Sequence, residues 1–460
     1  MNTKKNIFLF FISITAALGG FLFGYDTAVI SGTISLVKSQ FELNTLMEGW
    51  YVSSALVGCI AGVIFAGEIA DRYGRKSAML LSGLLFALSA VGCAASGSHS
   101  ELIFYRFIGG IGVGVASLVS PLYISEVSPA SVRGRMVTIF QFAITIGIVT
   151  AYFVNALLLK LSSTISIINP DGIWQNIIIN EVWRSMLGSE TIPALLFLIL
   201  VFFVPSSPRW LIAKNQDKKA EKVLSEINSP GIATSELISI RTAIAKEEIG
   251  TWKMIFSKGI RVAVYAGISL GLLSQFTGIN AIIYYGPRIM EEAGIRLSDA
   301  MGGQVIIGFV NMLATIYAIV KIDNYGRKKL MIGGITGMFI SLVIIGFLFL
   351  TGQTGIILLL FILTFIISFA IGYGSIIWVL LSEIYPTKVR GRAMSVATLA
   401  VWTGTAIIGQ VVPWMLQNLS PAGTFFVFAL FCIPVPLILK KIPETKGLSL
   451  EDIEEIWRKY

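Results

Sequence analysis

Charged residues are scarce in this sequence. Only 13% of its 460 residues are charged, whereas 55% are hydrophobic. Soluble globular domains carry about a quarter of their residues as charged side chains, which cover the surface that faces water. The shortage excludes a soluble globular protein of this length and indicates an integral membrane protein.

Cysteine and histidine are rare as well. The three cysteines are odd in number, lie in apolar runs and lack the spacing of metal ligands, so they predict neither a disulfide framework nor a metal site. The one histidine, His99, falls in a short polar connection, which argues against a histidine proton relay inside the membrane. We find no nucleophile–base pair and no phosphate-binding loop. The sequence therefore predicts that the protein is not an enzyme and needs no cofactor.

Apolar runs of about twenty residues dominate what is present. A helix needs roughly 20 apolar residues to cross the ~30 Å hydrocarbon core, whereas a barrel strand needs only about ten. The runs predict an all-α membrane protein with twelve transmembrane helices. The predicted spans are 7–31, 46–70, 77–96, 101–122, 136–159, 186–204, 261–287, 300–320, 330–350, 355–382, 393–416 and 422–440.

Basic residues are distributed unevenly between the two sets of connections. Most lie in the termini and in the connections that follow every second span. The alternate connections hold only Lys38, Lys160, Arg184, Arg288 and Arg296. Because cytoplasmic loops of membrane proteins are enriched in Lys and Arg, both termini are predicted to be cytoplasmic. The net charge of +9 is thereby explained without any nucleic-acid partner.

The longest polar interruption, residues 205–260, divides six spans from six. Ser207 before Pro208 predicts a helix start, and apolar residues at helical spacing after it and from Glu236 to Ile249 predict amphipathic helices on the cytoplasmic face. The tail from Leu448 to Trp457 predicts another. The predicted organisation is a first half at 1–204, a helical linker at 205–260, a second half at 261–441 and a tail at 442–460.

Two loop motifs occur once in each half. Asp71-Arg72-Tyr73-Gly74-Arg75-Lys76 returns as Asp323-Asn324-Tyr325-Gly326-Arg327-Lys328. The loop after span 4, Ser125-Glu126-Val127-Ser128-Pro129-Ala130-Ser131-Val132-Arg133-Gly134-Arg135, returns after span 10 as Ser382-Glu383-Ile384-Tyr385-Pro386-Thr387-Lys388-Val389-Arg390-Gly391-Arg392. Two repeats at matching positions predict pseudo-symmetric six-helix halves with a transport pathway between them.

These loops, together with Gly24-Tyr25-Asp26 and the run from Gln275 to Asn280, resemble the sugar porters of the major facilitator superfamily. The resemblance covers essentially the whole chain and is greatest to bacterial proton-coupled sugar symporters. The animal facilitative glucose transporters are its passive relatives. The resemblance implies the major facilitator fold, a neutral monosaccharide and protons as partners, and a monomer in the bacterial inner membrane.

Asp26 places a carboxylate inside a predicted span, where a charge costs about 2.5–3.5 kcal/mol on insertion scales. Arg106 is the only basic residue deep in another span and is its expected partner. One interpretation is a static ion pair; the other is a proton carrier, since burial disfavours the charged carboxylate while the guanidinium favours it. The resemblance favours proton coupling, because the passive relatives lack an acid at this position.

Several amides and aromatic residues lie within apolar runs. Any one amide could simply bridge two helices, but together they suit a neutral polyol, whose hydroxyls bind amides and whose C–H face packs on rings. The resemblance extends the set and implies that it binds sugar. The predicted sugar-binding residues are Phe23, Gln141, Gln275, Asn280, Tyr284, Asn311, Trp378 and Trp402.

Span 7 carries Gly271, Gly278 and the pair Gly286-Pro287. Such a run predicts either close helix packing or a helix broken at mid-membrane beside a cavity. Two positions depart from the resembled family, Ser274 and Val401, where relatives often have glutamine. The choice among xylose, glucose, arabinose, galactose and inositol therefore stays open.

The repeated loops carry charges of both signs where helix ends meet. They could serve topology alone, with exposed pairs contributing about 0–1 kcal/mol each, or they could form a cytoplasmic gate. The resemblance favours a gate that stabilises the outward-facing state, although Ser206 replaces an acid of the family pattern. The predicted gate residues are Asp71, Arg75, Glu126, Arg133, Asp323, Arg327, Glu383, Arg390 and Glu444.

The leading hypothesis is a proton-coupled monosaccharide importer that works by alternating access. A passive sugar facilitator with a structural Asp26–Arg106 pair is the alternative. A non-transporting sugar sensor is a third, which the short tail and modest central linker disfavour.

Overall fold

All regular structure in the described part of the chain is helical. The computed structural model describes residues 3–129, 132–168, 180–227, 230–245, 252–257, 260–353, 355–386 and 389–445. In chain order the helices are α1 (Thr3–Val29), α2 (Ile34–Gln40), α3 (Thr45–Tyr73), α4 (Arg75–Ala95), α5 (His99–Val127), α6 (Arg133–Ile168), α7 (Val182–Gly188), α8 (Thr191–Phe203), α9 (Pro208–Ala213), α10 (Asp217–Ile227), α11 (Pro230–Ala245), α12 (Trp252–Ile255), α13 (Ile260–Phe276), α14 (Ile279–Glu292), α15 (Leu297–Tyr325), α16 (Arg327–Thr351), α17 (Ile356–Ser368), α18 (Ile376–Ile384), α19 (Arg390–Asn418), α20 (Ser420–Cys432) and α21 (Pro434–Lys441).

Within these residues, twelve helical stretches are long and apolar enough to cross a membrane, which confirms the predicted number. Four of them contain two α-helices each, namely α7 with α8, α13 with α14, α17 with α18 across a π-helix at Phe369–Gly374, and α20 with α21. Large apolar side chains such as Phe65, Phe203 and Leu350 are exposed. A soluble monomer rarely exposes so much apolar surface, whereas lipid covers it in a membrane.

The chain packs into two compact units. One contains Met1–Ile30 and Val57–Glu247, and the other contains Ser31–Leu56 and Glu248–Tyr460. Helix α3 therefore begins in the second unit and continues in the first. The predicted division into halves at 1–204 and 261–441, with the linker and the tail, rests on the sequence repeat. It stays a prediction, because the two units are defined by packing and not by the repeat.

The same helix pairings occur in both units. In the first unit α1 packs on α6, and α4 packs on α5 and α8; in the second, α13 packs on α19, and α16 packs on α17 and α20. The repeated loops also begin and end helices alike. Gly74 and Gly326 have φ of 95° and 88°, a conformation that favours glycine, and α4 and α16 begin at the next residue.

The linker starts as the sequence predicts. The Ser207 hydroxyl accepts a hydrogen bond from the Trp210 backbone N–H, and Pro208 is the first residue of α9. Helix α10 buries Ala220, Val223 and its other apolar residues. Part of the helix predicted at 236–249 and the whole predicted tail helix lie outside the described residues.

Candidate functional site: a buried ion pair and an amide cluster

Asp26 and Arg106 form an ion pair within the first unit. Arg106 Nη1 lies 2.8 Å from Asp26 Oδ1, and both side chains are only 4% exposed. Asp26 is carried by α1 and Arg106 by α5, two helices that pack directly on each other. The side chains thus meet in the interior of the unit, away from the lipid-facing surface.

A second buried carboxylate, Glu190, was not predicted to be functional. It is 3% exposed, stands at the start of α8 and is close enough to interact electrostatically with Asp26 and Arg106. A helix N-terminus favours a negative charge, which helps an acid to lie there. The neighbouring Ser189 hydroxyl forms a 2.6 Å hydrogen bond with the Tyr25 hydroxyl. The only sequence signal was an acid within span 6, and its burial could not be seen from the pattern.

The predicted break in span 7 is present in the second unit. Helix α13 ends at Phe276 and α14 begins at Ile279. Gly278 between them has φ of 88°, and a Cβ atom there would lie 2.4 Å from the Phe428 ring. Both the conformation and the close approach require glycine at this position.

Gln275 is the centre of a hydrogen-bonded cluster at this break. Its Oε1 accepts bonds from Asn280 Nδ2 at 2.5 Å and from the Thr405 hydroxyl at 3.0 Å. Its Nε2 donates to the Ser274 hydroxyl at 2.8 Å. Gln275 and Asn280, both predicted, are therefore brought together, while Thr405 is an addition. Thr405 lies one turn after Trp402 in α19, but a threonine within an apolar span gives a weak signal.

The other predicted sugar-binding residues differ in exposure. In the second unit Tyr284 and Trp402 are buried, Asn311 is half-buried and Trp378 is 38% exposed. Phe23 and Gln141 belong to the first unit and are half-buried. Their contact with sugar stays a prediction.

In the first unit, Arg75 connects the two repeated loops. Its Nη2 lies 2.9 Å from Glu126 Oε1, and its Nη1 lies 2.9 Å from Asp71 Oδ1. The Ser207 hydroxyl also donates to the Glu126 carboxylate. Arg133 instead donates from Nε to the Ser128 carbonyl at 3.4 Å.

The second unit repeats this arrangement. Arg327 Nη2 lies 2.9 Å from Glu383 Oε1, and the Thr445 hydroxyl donates to Glu383 at 2.6 Å, as Ser207 does to its acid. Glu444 accepts bonds at 3.1 Å from the backbone N–H groups of Arg327 and Lys328.

Three residues complete the comparison of the two loops. Arg390 Nε donates to the Tyr385 carbonyl at 3.3 Å, matching Arg133 of the first unit. The side chain of Asp323 lies outside the described residues. Ser206 occupies the place of Glu444 in the first unit, so the carboxylate at the start of α16 has no counterpart at the start of α4.

The chain matches the family model described as "Sugar (and other) transporter" over residues 12–457. The chain belongs to this sugar transporter family. Its members are transporters and not enzymes. The resemblance to sugar porters that the repeated loops indicate is thereby confirmed.

Curated relatives and a solved structure match this sugar transporter over nearly its whole length. It is 38% identical to an arabinose-proton symporter of Bacillus subtilis (strain 168), covering 98% of this chain and 96% of that protein. It is 36% identical to a D-xylose-proton symporter of Escherichia coli (strain K12), covering 99% and 97%. The structure is similar to the inward-open conformation of the xylose transporter XylE from E. coli, with a TM-score of 0.84, 34% identity and coverage of 98% and 100%. The fold predicted from the sequence is thereby confirmed.

Proposed function

We propose that this protein imports a neutral monosaccharide together with protons by alternating access. The buried Asp26–Arg106 pair is the observation that carries the proposal, in a family whose similar members are named arabinose-, D-xylose- and galactose-proton symporters. A carboxylate inside the membrane region is costly, and a transported proton is a function that would retain it.

Asp26 is proposed as the proton carrier, and Arg106 as the cation that pairs with its ionised carboxylate. The guanidinium favours the ionised carboxylate, and burial opposes it. Protonation removes the charge that Arg106 pairs with and frees this side chain for a different arrangement. By linkage, a proton that binds better in one conformation shifts the protein toward that conformation. Glu190 adds a second buried acid that responds to the same charges.

Gln275 and Asn280, with Thr405, are proposed to bind sugar hydroxyls. The cluster supplies amide and hydroxyl groups that both donate and accept, as a polyol requires. Trp402, one turn from Thr405 on α19, offers an aromatic face for the C–H side of the ring. We propose the same contact role for Tyr284, Asn311, Trp378, Phe23 and Gln141.

We further propose the orientation of the chain in the bacterial inner membrane. Both termini are cytoplasmic, because the basic connections lie on their side. The Arg75–Glu126 and Arg327–Glu383 networks then lie at the cytoplasmic ends of the helices and serve as the cytoplasmic gate. One chain holds both repeats, which supports a functional monomer.

The test is uptake by the purified protein in proteoliposomes. An inward proton gradient should drive accumulation of labelled sugar above its external concentration. Asp26→Asn should retain sugar exchange between the two sides but lose accumulation, because a neutral amide binds no proton in this pH range. Accumulation by Asp26→Asn equal to that of the wild type would refute the assigned role.

A passive facilitator remains the second candidate, since a satisfied ion pair can also be purely structural. It predicts uptake that stops at equal concentrations and causes no pH change in the medium. A panel of unlabelled xylose, glucose, arabinose, galactose and inositol, competing with one transported sugar, would identify the substrate.

A further inference from the structure

Glu48 is a buried acid that neither the proton pair nor the amide cluster uses. Its side chain is 1% exposed, with Oε2 2.8 Å from Lys38 Nζ and Oε1 2.6 Å from Arg288 Nη1. Arg288 also lies 3.6 Å from Glu292. One carboxylate therefore joins a cation from the α2 segment to a cation from α14.

The chain segment that carries Glu48 has an unusual position. Residues Ser31–Leu56 pack within the second unit, yet the stretches on either side of them in the chain, Met1–Ile30 and Val57–Glu247, belong to the first. Helix α3 is continuous through this point, so its first turns are attached to one unit and its remainder to the other.

Hydrogen bonds attach the segment to the α14 and α19 helices. The Ser35 hydroxyl donates to Glu291 of α14 at 2.5 Å. The Ser53 hydroxyl donates to Gln410 Oε1 of α19 at 2.7 Å, and Gln410 Nε2 donates to the Leu46 carbonyl at 3.2 Å. Helix α14 carries Asn280 and Tyr284, and α19 carries Trp402 and Thr405. The segment thus contacts two helices that bear four of the nine proposed sugar-binding residues.

The preference of basic residues for the cytoplasmic side of a membrane does not explain the two cations of this cluster. Lys38 and Arg288 are among the few basic residues of the connections that we propose to be extracellular. The preference of Lys and Arg for the cytoplasmic side would remove cations there. Their pairing with Glu48 gives them a reason to be present.

We propose that Ser31–Leu56 is an extracellular latch that Glu48 closes onto Arg288 and Lys38, and that opening to the outside requires these ion pairs to break. The inference rests on the proposed alternating-access function. Buried ion pairs suit such a role, because the desolvation of the ions offsets much of their attraction and separation returns them to water. The closed and open states can therefore be close in free energy.

An open groove with a volume of about 610 Å³ borders Lys38 and Arg288, the two cations that pair with Glu48, so that water can reach them when the ion pairs separate. It is lined by Ser35, Lys38, Ser39, Glu42, Arg288 and Glu291.

The test measures access to a cysteine within the latch. Val52 is 2% exposed and lies against Gly409 of α19, so Val52→Cys should react slowly with a membrane-impermeant maleimide added outside. The native cysteines are replaced by alanine. Adding Glu48→Gln should raise the labelling rate on the order of 5- to 150-fold, the range of typical conformational coupling.

Two further single variants show whether a faster labelling rate comes from loss of the Glu48 ion pairs or from loss of any charge in this unit. Asp299→Asn removes an exposed ion pair with Arg296 in the same unit, and it should leave the labelling rate unchanged. Arg288→Gln should raise the rate as Glu48→Gln does. In the double variant, the increase in the logarithm of the labelling rate should be smaller than the sum of the two single increases, because both substitutions remove the same interaction.

An unchanged rate in Glu48→Gln would overturn the proposal. So would an equal rise in labelling for Asp299→Asn, since that result indicates a general loosening of the structure and not the loss of the Glu48 ion pairs. Absence of sugar transport by the unsubstituted protein would refute the proposed function instead, and the labelling comparison does not depend on transport.

Discussion

Gly278→Ala is expected to be strongly destabilising, for two separate reasons. The residue has φ of 88°, and a Cβ atom would lie 2.4 Å from Phe428 Cδ2. Phe428 is 1% exposed and packs edge-on against Phe425 with ring centroids 6.1 Å apart, so its ring has little room to move. The substitution therefore adds backbone strain and a steric clash at the break that positions Gln275.

The magnitude follows from adding the two costs. A left-handed conformation costs a non-glycine residue about 1–2 kcal/mol, and overpacking a tight site costs about 1–3 kcal/mol, so we expect about 2–5 kcal/mol in total. For a domain of roughly 200 residues each kcal/mol lowers Tm by about 2–4 °C, which predicts a fall of at least about 4 °C. Thermal unfolding of the purified protein in detergent measures it.

Matched variants divide the effect into its parts. Gly333→Ala in α16 places a Cβ where nothing lies within 4 Å, so it should change Tm little. Combining Gly278→Ala with Phe428→Ala removes the clash and keeps the backbone strain. The combined loss should be smaller than the sum of the single losses. If Gly278→Ala unfolds at the same temperature as Gly333→Ala, the break does not require glycine and the reasoning is wrong.

Three further predictions concern the amide cluster and the loop acids. Gln275→Ala should weaken sugar binding about 5- to 150-fold, because the sugar loses one amide partner at a cost of roughly 1–3 kcal/mol. A titration in which the variant binds as tightly as the wild type would count against the site. Glu444→Ala should cost about 0.5–2 kcal/mol of stability, since two N–H groups at the start of α16 lose their acceptor. Ser206→Glu should instead raise Tm slightly by supplying the missing carboxylate in the first unit, worth about 0.3–1 kcal/mol. A fall in Tm for Ser206→Glu would show that the two units are not equivalent there.

The sequence contained enough information to predict the spans, the repeat and one buried pair. Apolar length alone determines which runs can cross a bilayer, so all twelve spans could be counted. Asp26 and Arg106 were paired by elimination, and they lie 2.8 Å apart. Their role in proton coupling stays a prediction.

Other features depend on tertiary packing and could not be derived from the pattern. Glu48 lies at the end of a predicted span, where an acid is ordinarily solvated at the interface. Its burial results from the packing of Ser31–Leu56 in the second unit, which no local periodicity encodes. Thr405 likewise gives no signal until α13 and α19 pack together and bring its hydroxyl to Gln275.

The two units share the same helix pairings, but their buried polar side chains differ. Helix α1 of the first unit holds Asp26, while its counterpart by packing, α13 in the second, holds Gln275 and leads into the break at Gly278. The ionisable pair and the amide cluster are thus assigned to different units, so proton and sugar need not compete for the same groups. Under the proposed mechanism each ligand acts by favouring one conformation of the whole protein. Linkage then requires that protons raise sugar affinity by the same factor as sugar raises proton affinity.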